Sequence, residues 1–219
     1  MKTICSTFVG AILAGLSIGI AGTVFLRVPE PLIGSWLFGF GLLSIVVLGF
    51  KLFTGAIGYL AAPGTSTPRY ALECAVIWTG NLVGTALVGA AVRCSRIFPS
   101  VEARVGKMVA EKMADGPLSV FLLACFCGLL MYIAVDTWKK AELHATVRLA
   151  TLFLCVVVFI LSGFEHCIAN MYYFAASAAY GDAHTWTWLG LMTAGNACGG
   201  MFLPLTRLGH GQRKGAVGQ

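Results

Sequence analysis

Charge is what this 219-residue sequence has least of: Asp, Glu, Lys and Arg together make up 11%, and only nine residues are acidic. A soluble domain carries about a quarter of its residues as charges. With 58% hydrophobic residues beside that deficit, the chain reads as an integral membrane protein forming one transmembrane domain over 1–219. It has no CxxC pair, and its eight cysteines, at 5, 74, 94, 125, 127, 155, 167 and 198, fall mostly inside apolar runs. There Cys behaves as a small hydrophobe, so neither a disulfide framework nor a metal site is expected. Long polar stretches are missing too, which excludes disorder.

The net charge of +6 does not point to nucleic acid, because Lys and Arg sit in short clusters between apolar runs. Those runs fall at about 7–26, 33–62, 70–92, 118–138, 147–180 and 185–206. Each reaches the roughly 20 helical residues that span a bilayer, so six transmembrane helices are expected. The first lacks a cleavage region and reads as a retained span rather than a signal peptide. Residues 93–117 read as a loop and 207–219 as a short tail.

The second and fifth runs are too long for one straight crossing and must tilt, bend or break. Each carries a break signal in its middle: Gly49-Phe50-Lys51-Leu52-Phe53-Thr54-Gly55, and Gly163-Phe164-Glu165-His166-Cys167-Ile168-Ala169-Asn170. Ionisable groups at membrane depth are costly unless they face protein or water.

An internal repeat reinforces this. Gly15-Leu16 with Ile20-Ala21 recurs as Gly128-Leu129 with Ile133-Ala134, Gly49-Phe50 recurs as Gly163-Phe164, and Gly80-Asn81-x-x-Gly84 recurs as Gly195-Asn196-x-x-Gly199, at offsets of 113, 114 and 115. Three spans per repeat (about 7–92 and 118–206) is an odd number, so the halves are expected to be inverted across the membrane, with a transport site near the midplane. Charge sets the orientation. Lys2, Arg69, Lys139, Lys140, Arg148, Arg207, Arg213 and Lys214 share the side of both termini, against Arg27, Arg93, Arg96, Arg104, Lys107 and Lys112 opposite. The excess favours both termini inside.

Two half-helix starts, near Thr54 and Ile168, would face each other with backbone N–H groups that favour an anion. Lys51, Thr54 and His166 add a cation, a hydroxyl and a protonatable ring, together a site for a small monovalent anion or its conjugate acid. His166 could hand a proton to a weak-acid anion, which then crosses apolar walls as a neutral molecule. It could instead simply bond Glu165 or backbone and fix the loop. Glu165 reads as an anchor accepting N–H groups freed by the break, with Asn170 beside it, and Asn81 and Asn196 as amides bonding irregular backbone. Lys112, with Arg104 and Lys107, would draw anions to one mouth or be solvated loop charge.

At these residues the sequence resembles the formate/nitrite transporter family over nearly its whole length. The segment Gly163 to Met171 is similar to the family signature, Leu52-Phe53-Thr54 to its first-half partner, and both Gly-Asn-x-x-Gly motifs are family features. The resemblance implies a homopentamer in the plasma (inner) membrane, with an aquaporin-like hourglass pore in each protomer, cytoplasmic termini and passage of formate, nitrite or hydrosulfide. It makes Thr54 part of a mobile loop and His166 the central proton-exchanging residue. Phe38, Leu42 and Leu52 match one constriction, with Phe53 and Met131 close by, and Phe159 matches the other. Lys112 matches a lysine that attracts anions and tunes the histidine. Lys51 stands where an acidic residue is usual, and Gly128 where an asparagine is. Both departures bear on the choice of substrate, and the pattern Lys51-Leu52-Phe53-Thr54-Gly55 looks closer to the hydrosulfide branch.

A membrane enzyme using His166 is the competing class. Ser162, four residues earlier, is in no nucleophile motif, and His144, His184 and His210 lie near loops or the terminus rather than paired in spans for haem. No enzyme activity and no cofactor are therefore expected. A purely structural assembly protein is the third reading, with no ion flux.

Overall fold

A computed structural model describes residues 2–62, 64–65 and 67–216. All regular structure among them is helical: α1 (Lys2–Arg27), α2 (Pro31–Leu48), α3 (Phe53–Ala56), α4 (Thr67–Arg93), α5 (Glu102–Met113), α6 (Pro117–Lys139), α7 (Ala145–Leu161), α8 (Cys167–Ala176) and α9 (Ala183–Ala216). Among the described residues four helices are long and apolar enough to cross a membrane, namely α1 from Ile4, α2, α4 and α6, and α7 is a shorter apolar helix. Their outward faces carry large apolar side chains such as Leu32, Trp36, Phe40, Leu48, Leu72 and Leu154. Such surface is stable only against lipid or another protein.

Both long apolar runs are broken, and by the same device. α2 ends where Gly49 turns left-handed at φ 72°, and the chain after α7 turns at Gly163 with φ 69°. A residue with a Cβ is strained there, whereas glycine is not. Phe50 N–H then donates back to the Ile45 carbonyl and Phe164 N–H to that of Phe159, both at 2.9 Å, the six-to-one bond that closes a glycine-terminated helix. Four residues after α2 and five after α7, the chain re-enters a helix, as α3 with its 3₁₀ extension Ile57–Ala61 and as α8.

α4 packs on α1, and α9 on α6, through matched glycines. A Cβ on Gly84 would overlap the Ile12 carbonyl, and one on Gly199 the Cys125 carbonyl. Small residues let backbones approach where lipid provides no hydrophobic drive.

Two boundaries differ from the sequence reading. The expected loop 93–117 contains α5, whose Val105 and Val109, with Val101 before them, sit one turn apart and are buried. Three valines among charges are too short an apolar pattern to stand out beside 20-residue runs. The expected tail from 207 is instead a continuation of α9 through Pro204, and Arg207 fastens its far end to Asp136 of α6 at 3.3 Å. The side chains of Lys2, Arg213 and Lys214, counted above for orientation, lie outside the described ones, as does that of His210.

Candidate functional site

The half-helices α3 and α8 each begin on a residue held by an asparagine from a neighbouring helix. Asn81 of α4 accepts the Phe53 N–H through Oδ1 at 2.9 Å, while its Nδ2 donates to the carbonyls of Ala11 and Lys51, both at 2.8 Å. Asn196 of α9 accepts the Cys167 N–H at 2.8 Å and donates to Ala124 and Glu165 carbonyls at 2.8 and 2.7 Å. The linkers are pinned alike, Lys51 N–H to the Gly10 carbonyl at 3.1 Å and Glu165 N–H to that of Leu123 at 3.3 Å. These amides occupy the first N–H of each half-helix, so those two donors are not free for an anion. Each amide therefore satisfies both the irregular backbone and the helix start.

Asn196→Ala removes three buried hydrogen bonds. At about 1 kcal/mol each, it is expected to destabilise the solubilised protein by about 3 kcal/mol. Thermal unfolding in detergent checks this, and Asn81→Ala is expected to match it.

His166 is the N-cap of α8. Its Nδ1 accepts the Ala169 N–H at 3.0 Å, and its Nε2 lies 2.9 Å from Thr54 Oγ1 on α3. A ring nitrogen that accepts a backbone N–H has no hydrogen of its own, so in a neutral ring the hydrogen is on Nε2, directed at the threonine. The Thr54 hydroxyl hydrogen is thereby left to donate elsewhere. Both side chains are buried. The Phe159 ring stacks near His166 with centroids 5.5 Å apart and meets Phe38 edge-on at 5.9 Å.

Two cavities approach this pair. One, of about 340 Å³, is lined by Lys112, Leu123, Phe159, Glu165, His166 and Asn170 among others. The other, of about 310 Å³, is lined by Lys51, Leu52, Gly55, Glu73, Val135 and Lys139 among others. Leu123 and Val135 are 12 residues apart on α6, about 18 Å along a helix, so the cavities lie towards opposite ends of it. Phe38, Leu42 and Met131 are buried and line neither cavity. Phe53 lines a separate shallow cleft with Ile57, Leu60, Cys74 and Trp78.

Glu165 holds a different role from the expected one. Its carboxylate accepts from Lys112 Nζ at 2.8 and 2.6 Å and from Asn170 Nδ2 at 2.7 Å, whereas the freed backbone N–H goes to Asn196. The Lys112 and Glu165 side chains are only 16% and 5% exposed, so this is a buried ion pair rather than solvated loop charge. Asn170 Oδ1 is buried with no partner and belongs to a residue lining the same cavity. Arg104 donates to the Val28 carbonyl, and Lys107 pairs with Glu111 on the surface. Gly128 does not face the cavities: a Cβ there would strike the Asn196 backbone, so its lack of a side chain serves the approach of α9.

Residues 1–207 match the sequence profile described as formate/nitrite transporter. The chain belongs to the formate/nitrite transporter family. It is 29% identical over 185 residues to the nitrite transporter NirC of Salmonella typhimurium (strain LT2), covering 78% of this chain and 68% of that one. Its fold is similar to a pentameric formate channel with formate bound, with TM-score 0.76, 26% identity and coverage of 91% and 93%. It is also similar to an FNT family ion channel, with TM-score 0.84, 24% identity and coverage of 94% and 90%. These relatives are transporters and channels, and with its apolar helices this formate/nitrite transporter family member is an integral membrane protein.

One group in this family member escaped the sequence reading. Asp136 on α6 is bound by Lys140 at 3.2 Å, Arg207 at 3.3 Å, Tyr132 at 3.2 Å and Tyr59 at 3.4 Å. The available signal was an acidic residue inside an apolar span with a lysine four residues on.

Proposed function

We propose that this protein passes small monovalent anions of weak acids, formate and nitrite among them, across the membrane between its two cavities by way of Thr54 and His166. The observation that carries this is the Thr54–His166 hydrogen bond joining the two half-helices between cavities that each contain lysine. Likeness to the nitrite transporter NirC and to the pentameric formate channel supports the substrate class.

In this reading the chain makes six crossings in two inverted repeats around an hourglass pore. The matched bonds at both breaks, with offsets near 114, support it. Lys139, Lys140 and Arg207 lie at the end of α6 where Lys51 meets α1, which favours placing that end and both termini in the cytoplasm of a plasma-membrane protein. Its assembly is a homopentamer, by likeness to the pentameric channel.

Transport is a sequence of charge management. Lysines draw the anion into a cavity. Between the cavities it meets the apolar Phe38, Phe159 and Leu52, where a bare charge is prohibitively costly. The chain Nε2–H to Oγ1–H presents a hydrogen-bond donor there. Full proton transfer needs an imidazolium, whose Nδ1–H displaces the Ala169 N–H, so each transfer opens and remakes the α8 cap.

Among the anions, hydrosulfide is favoured on Lys51, which occupies the first-half position equivalent to Glu165. The test is uptake of hydrosulfide, formate and nitrite into proteoliposomes by the wild type and Lys51→Glu. Preference for hydrosulfide is expected to fall about tenfold in the variant. An unchanged order of the three would remove Lys51 from selectivity.

A further inference from the structure

Among the described residues, two cations of the cavity at the first break have no ion pair with a carboxylate. Lys139 sits at the end of α6 with its ammonium 3.7 Å from the Tyr59 ring centroid, and no ion pair joins it to an acid among the described residues. Asp136, three residues earlier on the same helix, is already bound by Lys140, Arg207, Tyr132 and Tyr59. Lys51 is held through its backbone, its N–H donating to the Gly10 carbonyl and its carbonyl accepting from Asn81, and its side chain lines the same cavity. Glu73 is the acidic residue of the lining, and most other lining side chains are apolar, Val46, Phe50 and Trp138 for example. Two positive charges and one negative leave an excess of one. Both lysines are exposed at this opening, so salt screens part of the excess.

The opposite cavity differs, since Glu165 neutralises Lys112 there at 2.6 Å. We infer that Lys51 and Lys139 form an anion-docking site in the first-break cavity, taking one small monovalent anion between their ammonium groups and setting how strongly this mouth loads. The inference rests on the anion-passage reading, because the docked anion is the cargo waiting beside Leu52 and Gly55. The Tyr59 ring, fixed by its hydroxyl on Asp136, holds the Lys139 ammonium in place by its face. Asp136 is thus a positioning residue, and Lys140 with Arg207 keep it from capturing Lys139.

Trp138 lines the same cavity and gives a readout that needs no transport. The probe is iodide, added to the full-length protein in detergent while tryptophan emission is followed. The expected result is a saturable quenching phase that formate or nitrite competes away and that Trp138→Phe deletes. Lys51→Gln with Lys139→Gln should raise the half-saturating iodide by about tenfold or leave only linear quenching, while the doubly arginine-substituted protein keeps the saturable phase and controls for folding. Linear quenching in the wild type, or saturation untouched in the double glutamine variant, would overturn the site. Saturable, lysine-dependent quenching in a protein that carries no anion would keep the site and discard the passage reading, and flux with linear quenching would do the reverse.

Discussion

Glu165→Gln is expected to lower the stability of the solubilised protein by about 3–5 kcal/mol, because it leaves the Lys112 ammonium in a nearly dry site with no counter-charge. The loss is larger than that of an ordinary surface ion pair because desolvation of both groups has already been incurred and only their mutual attraction and the bond to Asn170 offset it. Lys112→Met is expected to do comparable damage by stranding the carboxylate. The double variant should recover much of the stability, since it removes both charges together. Thermal unfolding of the four proteins in one detergent gives the coupling directly. Additive losses would mean that the two groups do not depend on each other, contrary to their 2.6 Å contact.

His166→Phe is the second large effect. Phenylalanine keeps a ring beside Phe159 but removes the acceptor that caps Ala169 N–H and the donor aimed at Thr54. Flux of weak-acid anions at acidic pH is expected to fall on the order of ten- to a hundredfold, and its pH dependence to vanish. Thr54→Val should share much of that loss, because it breaks the donor chain without touching the histidine, whereas Thr54→Ser keeps the hydroxyl and most of the flux. Uptake into proteoliposomes over a pH series separates the outcomes. Wild-type pH dependence in His166→Phe would exclude the ring from proton exchange.

Much of this was legible in the sequence because the bilayer imposes strong, simple rules. Apolar runs give helices, and runs of some thirty residues with a central glycine and an ionisable residue give breaks, which is why interruptions near Gly49 and Gly163 were legible. Thr54 and His166 were legible as polar residues in the two matched break segments, beside Lys51, Glu165 and Asn170. What was not legible depends on pairings between distant positions. Nothing local says that Glu165 answers Lys112, 53 residues away, rather than the backbone beside it. Nor does the sequence say that each asparagine would spend its oxygen on a helix start that was open on paper to an anion. Gly128 misled for a similar reason. Its position relative to the cavities depends on which face of α6 meets α9, and that face is decided by the fit of Gly128 to the Asn196 backbone, not by its own chemistry. Helix α5 was hidden because its valines form a single short stripe among charged residues, below the contrast set by the spans.

The most direct test of anion passage is flux into proteoliposomes carrying a trapped pH-sensitive dye, with formate, nitrite and hydrosulfide applied in turn beside protein-free vesicles and the His166→Phe protein. At least one of the three is expected to enter at about ten times the protein-free rate or faster, rising as pH falls, and His166→Phe is expected to remove the rise. Entry of all three at the protein-free rate would contradict anion passage.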